Sequence, residues 1–272
     1  MLFDSHAHIS DRRFDKDRRA LYQQIRDAGL AVVMDVGSDL ATSLDAARAA
    51  EENDFCYAVV GCHPHEAKDF DEEQLLLVRG LTKKPKVKAV GEIGLDYHYD
   101  FSDRESQRFW FARQVRMAVE LGMPIVIHDR EAHEDVLGIL RENGAFSPER
   151  KKSFPLRPDG TQDARVLLHC YSGSAQMAEQ YVKLGATISI AGPVTYSNAR
   201  RAREVVEAVD LLHLLVETDA PYLAPEPFRG RTNIPPYVEH TARKIAEIKG
   251  AAYEEVALQT CRNGCRFFNI EL

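Results

Sequence analysis

Eight short runs of apolar and β-branched residues alternate with longer helical patterns from one end of the chain to the other, and few folds accept that order. The strand candidates are 2–9, 31–37, 56–63, 87–95, 124–129, 164–171, 187–192 and 212–219. Helical patterns lie between them at 15–28, 39–52, 71–82 (the weakest), 103–121, 131–143, 175–184 and 198–209. Two more follow, near 237–249 and 253–267. Strands separated by helices pair in parallel, because the helix carries the chain back to the edge where the next strand starts. Eight such units predict a (β/α)8 TIM barrel, an α/β fold of typically about 250 residues. An open doubly wound sheet is the competitor, but it usually carries a glycine-rich phosphate turn, and neither GxGxxG nor a P-loop motif occurs here. No repeat, low-complexity tract or linker divides the 272 residues, so we expect one domain over 1–272, closed by a C-terminal helix.

Composition narrows the class. Hydrophobic residues make up 44% and charged residues 28%, which suits a globular protein with a sizeable core. No apolar run approaches the roughly 20 residues of a membrane span. No basic-then-apolar leader precedes the first strand, and we expect a cytoplasmic protein without membrane association. The five cysteines are an odd number with no CxxC pair, which points to reduced thiols. Cys261 and Cys265 lie one helical turn apart, but no second pair accompanies them, so they read as packing residues. A net charge of −7 excludes a surface that coats nucleic acid generally, though not an enzyme that grips a few phosphates locally. The polar segment 145–163, broken by three prolines, reads as an irregular excursion between the fifth helix and the sixth strand.

The working face of such a barrel is built at the C-terminal ends of its strands. There stand His6 and His8 from "FDSHAHIS", His63 and His65 from "GCHPH", and Glu92, Asp96 and Tyr97 from "GEIGLDYH". His128 follows in "VIHDR", His169 in "LLHCYSG" and Asp219 in "VETDAP". Singly, a strand histidine is more often a hydrogen-bonded core residue than a ligand. Jointly that reading fails, because six of the ten histidines fall on one rim and burying so many rings without a cation leaves costly unpaired groups. His98, His133, His213 and His240 read as ordinary: His213 starts a strand at the opposite end, His133 and His240 lie in helices, and His98 sits in a loop. Four imidazoles with two carboxylates exceed what one ion usually takes from protein. They suit two cations about 3.5–4 Å apart, which lower the pKa of water towards about 7 for hydrolysis.

At these positions the chain resembles the TatD-type metal-dependent hydrolases, many of them named deoxyribonucleases. The resemblance rests on "DSHAHI" (4–9), "VGCHPH" (60–65), "VGEIGLDY" (90–97), "PIVIHDR" (124–130), "LLHCYSG" (167–173), "ETDAPYL" (217–223) and "RGRTNIPP" (229–236), in one order over nearly the whole length. It implies a (β/α)8 barrel holding two divalent metal ions, with magnesium, manganese and zinc all open. Carried over by position, it implies that His6, His8, Glu92 and Asp219 hold the first metal. Glu92, His128 and His169 would hold the second, with Glu92 bridging and Asp219 also taking the proton of the attacking water. His63 and His65 would contact the substrate phosphate or a further cation. Activity is expected on phosphodiester bonds of DNA ends, single-stranded and 3′ to 5′, with no obligate protein partner. The alternative keeps the metals and changes the bond to an ester, lactone or amide, as in a D-aminoacyl-tRNA deacylase or lactonase. A metal-stabilised scaffold without catalysis is the third reading, and the presence of every inferred ligand argues against it.

Charge along the chain sorts by face. The basic runs "KKPKVK" (83–88) and "ERKK" (149–152) both precede strands, so we expect them on the far side, as solvated surface. Arg130, Arg200, Arg201, Arg229 and Arg231 fall on the working side. A guanidinium can clamp a phosphate with two hydrogen bonds, and Arg229, in the loop after strand eight, is the candidate we weigh against simple pairing with Glu226 or Glu239. Tyr97, Tyr171, Tyr196 and Tyr222 near the rim are candidates to stack an unpaired base.

Overall fold

The computed structural model describes residues 1–272. Its eight strands are β1 (Leu2–Ala7), β2 (Leu30–Val36), β3 (Cys56–Val60), β4 (Val87–Asp96), β5 (Ile125–Arg130), β6 (Val166–Leu168), β7 (Thr187–Ile190) and β8 (Leu214–Val216). They pair in parallel in that order in one sheet. Parallel bridging of Ala7 with Ala220 closes the ring. The closing hydrogen bonds run from the His8 amide to the Ala220 carbonyl (2.7 Å) and from the Asp219 amide to the His6 carbonyl (2.8 Å). Closure therefore fastens residues at or just beyond the ends of the first and last strands together at the rim. The expected (β/α)8 barrel is what forms.

Helices α1 (Arg18–Asp27), α2 (Leu40–Glu52), α3 (Glu72–Leu81), α4 (Arg104–Glu120), α5 (His133–Glu142), α7 (Ala175–Leu184) and α8 (Arg200–Ala208) separate the strands, with a short α6 (Pro148–Lys152) inside the long excursion. Their starts follow local chemistry. Asp39, Asp71, Asp103 and Ser174 each accept an amide of the first turn, which satisfies one of the donors a helix N-terminus leaves open. The strands' outer faces pack on the helices in one large apolar cluster. A smaller cluster inside the barrel joins Phe3, Met34, Val59, Val126 and Leu215 to Phe267 and Phe268. These last two belong to α10 (Tyr253–Phe268), which follows α9 (Val238–Lys249) and plugs the end of the barrel opposite the rim. The Phe268 ring stacks on Phe3 at 5.8 Å, and at Gly264 a Cβ would meet the Phe3 ring at 2.8 Å, so only glycine lets the helix come so close. Each aromatic buried this way contributes about 1.5–3 kcal/mol.

The excursion at 145–163 departs from expectation in one respect. It lies on the face away from the rim, beside the starts of β5, β6 and β7, as its position between a helix and a strand requires. Its arginines are not solvated surface, however. Arg150 is buried, donating from Nε to the Ala164 carbonyl (3.1 Å) and from its terminal nitrogen to the Met123 carbonyl (2.7 Å). Arg157 is buried too, and donates to the carbonyls of Gly185 (2.6 Å) and Ala186 (2.8 Å). Carbonyls of the loops that lead into the strands gather beneath the barrel, and a long side chain with several fixed donors gives them a further partner. Lys86 does the same for Ala50 and Asn53. No helix is long and apolar enough to cross a membrane.

Candidate metal centre

Two strands run out just before the residue that matters. β6 stops at Leu168 and β8 at Val216, so His169 and Asp219 lie beyond the ladder. The chain then turns through left-handed residues, Cys170 (φ 41°) and Asp219 itself (φ 57°), conformations that non-glycine side chains rarely adopt and that cluster at functional sites. His6 and His8 come from the end of β1 and the residue beyond it, and their Nε2 atoms lie 3.3 Å apart.

Glu92 is the centre of the arrangement. It is buried on β4, and its two oxygens face different imidazoles. Oε2 lies 3.4 Å from His6 Nε2 and 3.7 Å from His8 Nε2. Oε1 lies 2.7 Å from His128 Nδ1, 2.7 Å from His169 Nε2 and 3.6 Å from His63 Nε2. Asp219 Oδ1 completes the first group, 3.5 Å from His8 Nε2 and 3.9 Å from His6 Nε2. An ion bound tetrahedrally at about 2.0–2.2 Å sets its nitrogen and oxygen ligands roughly 3.4 Å apart. The spacing of 3.3–3.9 Å among His6, His8, Glu92 and Asp219 fits that demand. His63, Glu92 and His128 form a second group of atoms close enough to share an ion.

The surroundings prepare these groups for a cation. His8 Nδ1 lies 2.7 Å from the Val36 carbonyl, an acceptor only, so Nδ1 keeps its proton and Nε2 is the atom that faces the site, where a cation would take the place of its proton. Behind His169, Nδ1 lies 3.3 Å from Glu217 Oε1, and Glu217 is itself held by the Cys170 amide (2.5 Å). Burial opposes ionisation of Glu92, but His169, His63 and His6 outweigh it and hold the carboxyl well below its usual range. Asp219 is likewise held down against its burial by contact with His8. His8 is pushed up to about 9, the pull of Asp219 and Glu92 overcoming desolvation, whereas burial pushes His63 down. The carboxylates therefore stand ionised at neutral pH, the form that binds a divalent cation.

Around this floor opens a cavity of about 610 Å³, sized for a small ligand or a chain end. His65 lines it, with Nε2 2.7 Å from Asp96 Oδ2; the same oxygen lies 3.2 Å from His128 Nε2. Of the other sequence candidates, Arg130 and Tyr222 line the cavity, but Tyr97 and Arg229 do not. The Tyr97 hydroxyl turns away to donate to Asp135 (2.5 Å), and Arg104 covers its ring. Arg229 stacks its guanidinium on Tyr196 at 4.3 Å, spending its charge on the rim's own structure. Tyr171 and Tyr196 likewise use their hydroxyls on the carbonyls of Ser174 and Ala224. Sequence reasoning passed over Glu217, although it stands two residues before Asp219 in the quoted "ETDAPYL" motif. It also passed over Arg12, Tyr99 and Phe101, which line the cavity. The aromatic density of "DYHYDF" directly after β4 was the available signal.

Comparison with known proteins agrees with this geometry. The sequence profile described as TatD related DNase matches residues 3–269. An uncharacterized metal-dependent hydrolase of Bacillus subtilis, YabD, is 39% identical over 99% of this chain and 100% of its own length. A protein of Erwinia tasmaniensis named 3′-5′ ssDNA/RNA exonuclease TatD is 32% identical over 99% of this chain and 100% of its own. Among solved structures, the TatD homologue YJJV of Escherichia coli superposes with a TM-score of 0.87 at 27% identity, covering 99% of this chain and 98% of that one. The match runs unbroken through every segment that contributes to the histidine–carboxylate floor, and the chain accordingly belongs to the family of TatD related DNases, as a metal-dependent hydrolase.

Proposed function

We propose that the chain is a 3′–5′ exonuclease that hydrolyses phosphodiester bonds at the ends of single-stranded DNA, using two divalent cations. In this reading His6, His8, Glu92 and Asp219 would hold one ion, and Glu92, His128 and His169 would hold the other. The observation that carries it is the split of Glu92, whose two oxygens each face their own set of imidazoles at the floor of a single cavity. A pair of divalent ions supplies Lewis acidity at a phosphate and lowers the pKa of water. The protein's own part is positional. Asp219 stands at the cavity floor to take the proton of the attacking water and pass it to the leaving oxygen. His63 and His65 face the same space and contact the non-bridging phosphate oxygens, with Arg12 and Arg130 at the rim to balance further phosphate charge. The name of the Erwinia relative supports polarity and strandedness.

The test is digestion of 5′-end-labelled single-stranded DNA, single-stranded RNA and duplex DNA with magnesium, manganese or zinc. We expect a ladder shortening from the 3′ end of the single strands, lost in Glu92→Gln and after chelation. Turnover undiminished by either would remove the site. A protein inert to nucleic acid but active on a lactone or an aminoacyl ester would replace the phosphodiester with the carbonyl reading.

A further inference from the structure

Four large apolar side chains stay exposed around the cavity mouth: Tyr99 (55%), Phe101 (59%), Tyr222 (41%) and Leu223 (39%). Exposed apolar groups gathered at a cleft mark a binding surface more often than chance. Two of them form a built unit. The rings of Tyr99 and Phe101 stack at 5.4 Å with only 24° between their planes, and both meet His65 edge-on, at 5.7 and 4.7 Å. The loop that carries them is pinned rather than loose. The amides of His98 and Tyr99 both donate to Asp96 Oδ1 (3.0 and 2.9 Å), and Arg104 holds Asp100, a left-handed residue (φ 49°), through three contacts to its carboxylate. Ser102 ties the far end of the loop to the His65 carbonyl (2.8 Å). Both rings stay more than half exposed although the backbone that carries them is fixed.

We infer that Tyr99 and Phe101 are a stacking platform for an unpaired base next to the scissile phosphate, and so set the enzyme's demand for single strands. This rests on the exonuclease reading and adds a substrate contact to it. Position argues for a base rather than another apolar group. Phe101 packs on His65, His65 on His63 at 4.3 Å, and His63 faces Glu92 at 3.6 Å, so two imidazoles, both proposed to contact the phosphate, link the platform to the floor. Arg12 and Arg130 line the same mouth, a placement that suits a chain carrying phosphates between its bases. Every base presents a π-face, so the platform selects unpaired bases without reading sequence, and a paired end cannot enter without first fraying.

The experiment compares Phe101→Ala, Tyr99→Ala and a control, Phe109→Ala, an exposed aromatic of α4 outside the cavity, all as manganese-loaded enzyme. Substrates are a single-stranded oligonucleotide and the same strand with its two 3′-terminal bases removed to leave abasic sugars. We expect KM for the full strand to rise about 5- to 100-fold in the platform variants, with kcat within about threefold of wild type. Phe109→Ala should match wild type, and the abasic strand should be cut equally by all four proteins at the raised KM. An unchanged KM in both platform variants, with wild type digesting the strand normally, overturns the platform and leaves the exonuclease reading standing. A uniform fall in kcat on both strands would mean the loop only props the centre, and also overturns it. Wild type that cuts neither strand removes the exonuclease reading and the platform with it.

Discussion

A carboxylate behind a histidine matters as much as the histidine. Glu217 is fully buried, 3.3 Å from His169 Nδ1, and its carboxylate also accepts the Cys170 amide. It orients the ring and raises its basicity, so it controls how well Nε2 serves a cation. We expect Glu217→Gln to fold normally, since the amide oxygen still accepts from Cys170, and to lose about 10- to 100-fold in metal affinity, read by manganese titration. A second buried histidine works in the opposite sense at the far end. The Nδ1 of His213 accepts from Arg157 (3.1 Å), and its Nε2 faces Asp159 (3.1 Å). Burial first, and the guanidinium second, push its pKa down from 6.5. The unfolded chain thus binds a proton below pH 6.5 that the folded chain resists, so this stabilisation is complete above 6.5 and drains away as pH falls. Urea midpoints of wild type and His213→Gln should converge between pH 7 and 5, at no more than about 1.4 kcal/mol per pH unit.

At the scale of elements, the helices are where periodicity put them: α7 spans Ala175–Leu184 against an expectation of 175–184, and α2 and α3 differ by a residue at one or both ends. Two strands shrink instead. The run 164–171 keeps only Val166–Leu168 in the ladder, and 212–219 only Leu214–Val216; at their rim ends His169 and Asp219 leave the sheet to face the site. That the histidines and Glu92 share one rim was legible, because strand order and strand polarity decide it. The fates of Tyr97 and Arg229 were not. Each turns to a partner, Asp135 or Tyr196, that only the packing of neighbouring loops supplies. Burial of Arg150 and Arg157 was hidden for the same reason, since no one-dimensional pattern reveals the carbonyls of 123, 164, 185 and 186 gathered beneath the barrel. Arg157→Met should therefore cost about 2–4 kcal/mol in a urea titration, by removing the buried donor to the Gly185 and Ala186 carbonyls, and leave kcat unchanged because the rim is at the other end.

At the scale of the whole molecule, the same rim that would bind metal also closes the barrel. Asp219 donates its amide to His6, and His8 donates its own to Ala220, so the first and last strands are joined through the backbone of three proposed ligands. Asp219 at that seam and Glu92 facing it are balanced only by histidines, in a chain with 42 acidic against 35 basic residues, and a divalent cation held between them would tie the seam to β4. Cation binding should consequently stabilise the entire fold, not just order a pocket. For a ligand bound only by the folded state, a concentration of 100 times Kd adds about 2.7 kcal/mol, and a chain of this size converts that into roughly 5–10 °C of Tm. We expect calorimetry to show that rise on adding manganese and its reversal by chelator. Glu92→Gln should lose most of the shift while still unfolding in one cooperative step. A Glu92→Gln protein that keeps the full manganese shift would place the stabilising ion elsewhere and detach the seam from the site.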